Sequence, residues 1–170
     1  MATTAAGITT TTVSTDQLAP LGFKLNVPAS SGGDTQAGQG EQVWVYVKAE
    51  AALAIGDIVV RDASALTNDM YGVTPSASGA PALAAHSVLG VAQHVIASGS
   101  FGFVQCKGQC LVKCGTANIS QDIAIMSSGD RVGAALDFAA GGEHCVFGFS
   151  LEAETDNNTT FDAYVNCPGA

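Results

Sequence analysis

Charge is what this chain has least of. Only 12% of its 170 residues are Asp, Glu, Lys or Arg, about half the share usual in a soluble domain. Acidic residues outnumber basic ones 15 to 6, for a formal net charge of −9. The basic residues Lys24, Lys48, Arg61, Lys107, Lys113 and Arg131 are scattered. A phosphate backbone or an anionic bilayer is held by clustered Lys and Arg. The chain is therefore expected to bind neither nucleic acid nor a membrane surface. No apolar run approaches the roughly 18 residues of a membrane-crossing helix. The opening Met1-Ala2-Thr3-Thr4-Ala5-Ala6-Gly7-Ile8 carries no basic or apolar stretch of a secretory signal, which predicts synthesis in a cytoplasm.

Catalytic signatures are missing too. There is no Gly-x-Ser-x-Gly elbow, no Gly-x-Gly-x-x-Gly or Walker-type loop and no EF-hand pattern. Ser98-Gly99-Ser100 reads as a turn. His86, His94 and His144 form no HxH or HxxxH pair. Asp57, Asp62, Asp122 and Asp130 sit beside Gly or at strand edges, where turn and cap roles account for them. Glu152-Ala153-Glu154-Thr155-Asp156 is the one acidic cluster and reads as a solvated hairpin loop. No acid/base pair is legible, so the expectation is a non-enzyme with no cofactor and no metal.

Cysteine is present but oddly arranged. The five are Cys106, Cys110, Cys114, Cys145 and Cys167. An odd count and a reducing compartment favour free thiols. The first three are spaced by four. Along a strand, positions four apart share a face but lie roughly 13 Å apart, too far for one zinc or one disulfide. Helical spacing would suit a metal, but the segment alternates like a strand. A hairpin loop at Lys107-Gly108-Gln109 would instead bring Cys106 and Cys110 together. Core packing, a disulfide and a metal all remain open, in that order. The sequons at Asn118, Asn157 and Asn158 carry weight only in a secreted chain.

What is abundant is short alternating apolar sequence. Hydrophobic residues make up 47% of the chain. They fall in runs such as Val43-Trp44-Val45-Tyr46-Val47, Ile58-Val59-Val60, Phe101-Gly102-Phe103-Val104, Ile123-Ala124-Ile125-Met126 and Val146-Phe147-Gly148-Phe149. Turn residues cut them about every ten positions, the pattern of an all-β sandwich or barrel. Residues 1–40 read as a Thr-rich N-terminal arm, one possible strand at 22–27 and a flexible loop at Ser30–Gly40. The arm is either a tail or a segment that orders on a neighbour. Residues 41–170 read as a compact β-barrel or β-sandwich domain, with 62–87 as a long loop carrying one short strand. Val88-Leu89-Gly90-Val91 with Phe101–Val104, and Val146–Ser150 with Phe161–Val165, read as two like hairpins. Their shared Gly marks a bend or a close backbone approach. The likeness is too short to establish a duplication. In the strand at 43–47 both faces are apolar, valines opposite Trp44 and Tyr46. Such a strand is central or covered on both sides, by the arm or by another subunit.

The run Glu41–Val60 resembles the opening of the decoration, or cement, proteins of tailed-phage heads. So do Leu89-Gly90-Val91-Ala92, Gly102-Phe103-Val104-Gln105 with Gly108, Ile123–Ser127, Val132–Ala135 and Phe147–Ala153, in the same order. The likeness covers about 41–165. The family's Ala-Gly-Asp punctuation is Ile55-Gly56-Asp57 here, and its second copy is Ser120-Gln121-Asp122, without Gly. The cysteines stand outside the pattern. The resemblance implies a β-barrel or β-sandwich module on the capsid surface of a bacteriophage virion, made in the host bacterial cytoplasm. Such modules bind the major capsid protein, bridge capsomers and associate as dimers or trimers. Candidate contact residues are Ile8, Val13, Leu21 and Phe23 of the arm, with Trp44 and Tyr46. A tail or head-fibre component is the structural alternative. A carbohydrate-binding module would need exposed aromatics, for which Trp44, Tyr46, Tyr71 and Tyr164 are the candidates.

Overall fold

Strands form where the alternation places them. The computed structural model describes residues 7–28, 40–62, 70–76, 88–115, 118–127, 132–137, 146–156, 159–167 and 170. Its ten strands are β1 Lys24–Val27, β2 Gln42–Ala49, β3 Ile58–Arg61, β4 Gly72–Pro75, β5 Val88–Val91, β6 Phe101–Lys113, β7 Ala124–Ser127, β8 Ala135–Asp137, β9 Val146–Ser150 and β10 Thr160–Asn166. No helix occurs among the described residues. The loop expected at 30–39, His86, His144, Cys145 and the sequons at Asn157 and Asn158 lie outside them.

β2, β4, β3, β5 and β6 join edge to edge, and β6 returns to β2, closing a five-stranded barrel. The β2–β4 pair is parallel and the others antiparallel. Val45 and Val47 face the interior with Leu53, Ile58, Val59, Leu89 and Val104, while Trp44 and Tyr46 belong to a separate cluster outside. Two apolar faces on one strand thus mean two cores. Each buried Val or Ile adds about 1.5–3 kcal/mol from area removed from water.

β6 corrects the sequence reading. It runs unbroken for 13 residues, so no hairpin forms at 107–109. Its first half pairs with β2 and its second with β10. β9, β7 and β8 follow in order, and Cys114 meets Ala135 of β8 in a parallel bridge.

The second set of strands repeats the first, rung for rung. Val59↔Gly90 corresponds to Ile125↔Gly148, and each is followed at once by a register shift. Arg61↔Val73 corresponds to Ser127↔Ala135. Tyr46↔Phe103 corresponds to Leu111↔Asp162. The parallel contact Ala49↔Val73 corresponds to Cys114↔Ala135. The bridge Leu53↔Ile96 within one unit corresponds to Ile119↔Glu154 within the other. Even the turns agree: Gly56 has φ 83° and Asp122 φ 58°, the left-handed region. The chain is therefore two five-stranded units in tandem, with β6 ending one and beginning the next.

The glycine shared by the two hairpins marks a close approach in both. A Cβ on Gly90 would stand 2.7 Å from the Gln105 carbonyl, and one on Gly148 would overlap the Tyr164 carbonyl. Backbone cannot yield as a side chain can, so Gly90→Ala and Gly148→Ala should each cost about 1–3 kcal/mol. Urea unfolding midpoints measure this. If both midpoints stay at the wild-type value, the strands have room that the ladder denies.

Residues 8–27 do not form an extended arm here. They fold back over the first unit. Gly22 N–H donates to the Tyr46 carbonyl, and Tyr46 N–H to that of Phe23, both at 2.9 Å. β1 then pairs with β2 from Lys24↔Val45 to Val27↔Gln42. The sheet thus crosses the boundary expected near residue 40.

Candidate functional surface

The residues with reactive side chains are spent on structure. Asp57 accepts from Ala54 N–H at 2.8 Å and from Lys113 Nζ at 3.0 Å. Glu152 accepts from Asp162 N–H, and Glu154 from the Thr155 and Asp156 N–H groups. Those bonds, with one from Thr159, hold the Glu154 carboxyl below the ordinary range. His94 keeps a buried Nε2 without a hydrogen-bond partner, and burial lowers its pKa. Ser98 Oγ donates to the Glu50 carbonyl. Cys106, Cys110, Cys114 and Cys167 are buried and form no disulfide among the described residues. Burial raises the Cys106, Cys110 and Cys167 pKa values, which keeps them protonated and unreactive. Among the described residues no three His, Cys, Asp or Glu side chains gather as metal ligands. Among those residues, too, no helix is long and apolar enough to cross a membrane.

Of the expected contact residues, five meet inside the molecule. Ile8, Trp44 and Tyr46 are buried with Leu25 and Phe103, and Leu21 and Phe23 pack against them. Tyr46 stacks on Phe101 at 6.3 Å, and its hydroxyl accepts from Leu18 N–H at 3.1 Å. Val13 stays exposed. The layer that covers Trp44 and Tyr46 is the chain's own N-terminal segment.

Further exposed apolar side chains lie on the segments that meet at the waist between the two units, and Leu18, Met70, Ile123 and Phe149 are exposed as well. Lys113 N–H donates to the Gly56 carbonyl, and Lys113 Nζ reaches the Val132 carbonyl. The Gln93 amide bonds both backbone groups of Leu111, donating to its carbonyl at 2.9 Å and accepting from its N–H at 3.1 Å. Leu111 occupies the rung that Tyr46 holds in the first unit. There Gly22 and Phe23, just before β1, supply the partner backbone; here one side-chain amide does so, closing an edge that would otherwise stay open. On the segments these bonds join, Ile55 (47% exposed), Val95 (64%), Leu111 (40%) and Val132 (47%) carry exposed apolar side chains. Sequence reasoning missed this group. Three of the four sit outside strands, and nothing in their local pattern distinguishes them from core residues.

The comparisons with known proteins bear on fold. No family model matches the chain. No curated protein matches it either. Among solved structures, it is similar to the N base of the head fibre gp8.5 of bacteriophage phi29, with TM-score 0.52 and 13% identity over 74% of this chain and 94% of that one. At that identity the likeness is one of architecture. It spans nearly all of the fibre base.

Proposed function

We propose that this chain is a structural protein of a tailed-phage virion, a decoration or cement subunit on the outer face of the head. The observation that carries the reading is the shared architecture with a head-fibre base over nearly the whole of that base. The buried Asp57 carboxylate is held by Ala54 N–H and Lys113, and Cys106, Cys110 and Cys167 pack in the core. The partner is the major capsid protein, and the subunit acts as a dimer or trimer. The mechanism is mass action: a protein that binds the assembled lattice and not its free subunits stabilises that lattice. An interface of about 1,600 Å² repeated over a shell is sufficient. Val13 and the waist residues Ile55, Val95, Leu111 and Val132 are the apolar side chains assigned to that contact. The low charge helps, because few ions must be desolvated on docking. The phi29 likeness favours one second reading, in which the chain is the base of a head fibre.

Co-sedimentation with purified phage heads tests the proposal. Saturating binding at a fixed copy number per head, lost in the double variant Leu111→Asp with Val95→Asp, is the expected result. Mass-spectrometric counting in virions then separates the readings. Hundreds of copies mean cement, and copies confined to fibres mean the base. Absence from virions, or turnover of a substrate by the pure protein, overturns both.

A further inference from the structure

Cys167 follows β10 directly, and Cys106 lies opposite it in β6. The ladder Val165↔Gly108, Asn166↔Lys107 continues by one more rung, where Cys167 N–H donates to the Cys106 carbonyl at 2.8 Å. Residues facing each other across a hydrogen-bonded antiparallel pair have Cα atoms about 5.5 Å apart. Disulfides span about 4.4–6.8 Å. Both side chains enter the same core, where Cys110 joins them. The Cys106 thiol donates to the Val43 carbonyl at 3.3 Å. Burial first, then the neighbouring Cys110 and Cys106, keeps the Cys167 thiol protonated in the closed fold. Oxidation therefore waits on opening, and Cys167 sits just past the end of β10, where a strand opens at least cost.

We propose that Cys106 and Cys167 are a latent disulfide, reduced while the chain is made and joined by a small-molecule disulfide oxidant outside the cytoplasm. The timing rests on the virion reading; the bond does not. On opening, the Cys167 thiolate attacks one sulfur of oxidised glutathione and expels one glutathione thiolate. Cys106 then attacks the mixed disulfide and expels the second. The two thiol protons end on the two released glutathiones. The new bond ties β10 to β6, the strand that both units share. Hydrogen-bonded pairs hold their Cβ atoms wider than a relaxed disulfide does, so this bond is readily reduced again.

The test incubates the reduced, folded full chain with oxidised glutathione, followed by intact mass and peptide mapping. The expected product is two hydrogens lighter, links Cys106 to Cys167, and melts roughly 5–10 °C higher, reversibly with dithiothreitol. Cys110→Ala should keep the bond, and Cys106→Ala and Cys167→Ala should each lose it. A folded chain that stays reduced while a urea-unfolded control oxidises overturns the proposal. So does a bond to Cys110 or Cys145. Alkylation of purified virions addresses the timing separately. Cys106 and Cys167 blocked there, with the bond forming in the isolated chain, sustain it; both free in virions overturn the timing and leave the pairing standing.

Discussion

Phe103→Ala should lower stability by about 3–5 kcal/mol, the usual cost of emptying a buried aromatic site. It should also free the N-terminal segment. Phe103 is fully buried, and its ring lies 5.0 Å from Tyr46 and 6.5 Å from Phe23. It is the floor on which residues 8–27 rest. Urea titration reads the loss of stability, and limited proteolysis reads the release of the segment. The second unit supplies an internal control, because Asp162 occupies the same rung there. Asp162 is half-buried and uncovered, so Asp162→Ala should cost well under about 1 kcal/mol. Protease resistance of residues 8–27 unchanged in the Phe103 variant would mean that the backbone bonds to Tyr46, not the aromatic cluster, hold the segment.

That contrast bears on what partner contact requires. Ile8, Leu21, Phe23 and Leu25 of the N-terminal segment are engaged within the molecule, at the expense of any contact they would make outside it, whereas Val13 and Leu18 are exposed. Truncating residues 1–27 would uncover Trp44, Tyr46 and Phe103 at once. Loss of head binding by such a truncation would therefore report a damaged fold as readily as a lost contact. Substitutions at Val13 or at the waist avoid that confusion, because those side chains are already in water.

Period-2 alternation made most of the strands legible. In Val43-Trp44-Val45-Tyr46-Val47 it also predicted which residues lie on which side of the barrel wall. The Gly in each hairpin correctly marked a backbone contact. Three things stayed hidden for physical reasons. Gly108 looked like the centre of a hairpin loop, but it serves the β2 crossing: a Cβ there would stand 2.7 Å from the Glu41 carbonyl. Sequence shows that a position needs Gly without showing which neighbour demands it. The tandem repeat is carried by rungs rather than by identities. Tyr46 corresponds to Leu111 and Phe103 to Asp162, so the likeness fades wherever one unit is covered and the other is wet. The waist depends on Lys113 meeting Asp57, and short-range pattern does not report a contact that distant in the chain.

Lys113→Met should cost about 3–5 kcal/mol, because it strands a buried carboxylate. Asp57 is almost fully buried, and Lys113 Nζ is the cation that meets its Oδ1, at 3.0 Å. The other oxygen accepts from Ala54 N–H in the turn before β3. The pair fastens the first unit to the second, beside the bonds from Ile58 N–H to the Gly133 carbonyl and from Gly133 N–H to that of Ser76. A thermal midpoint lower by roughly 10 °C follows for a chain of this length. Asp57→Asn keeps an acceptor for Ala54 and removes the stranded charge, so it should cost less. The double variant Asp57→Asn with Lys113→Met should recover part of the Lys113→Met loss, which a double-mutant cycle measures as the coupling. Salt should matter little, because the carboxylate is shielded from the ions that screen surface pairs. A cycle that returns a coupling below about 0.5 kcal/mol, the scatter of independent sites, would show that the shared strand β6 and the backbone bonds at Gly133 hold the two units together without the ion pair.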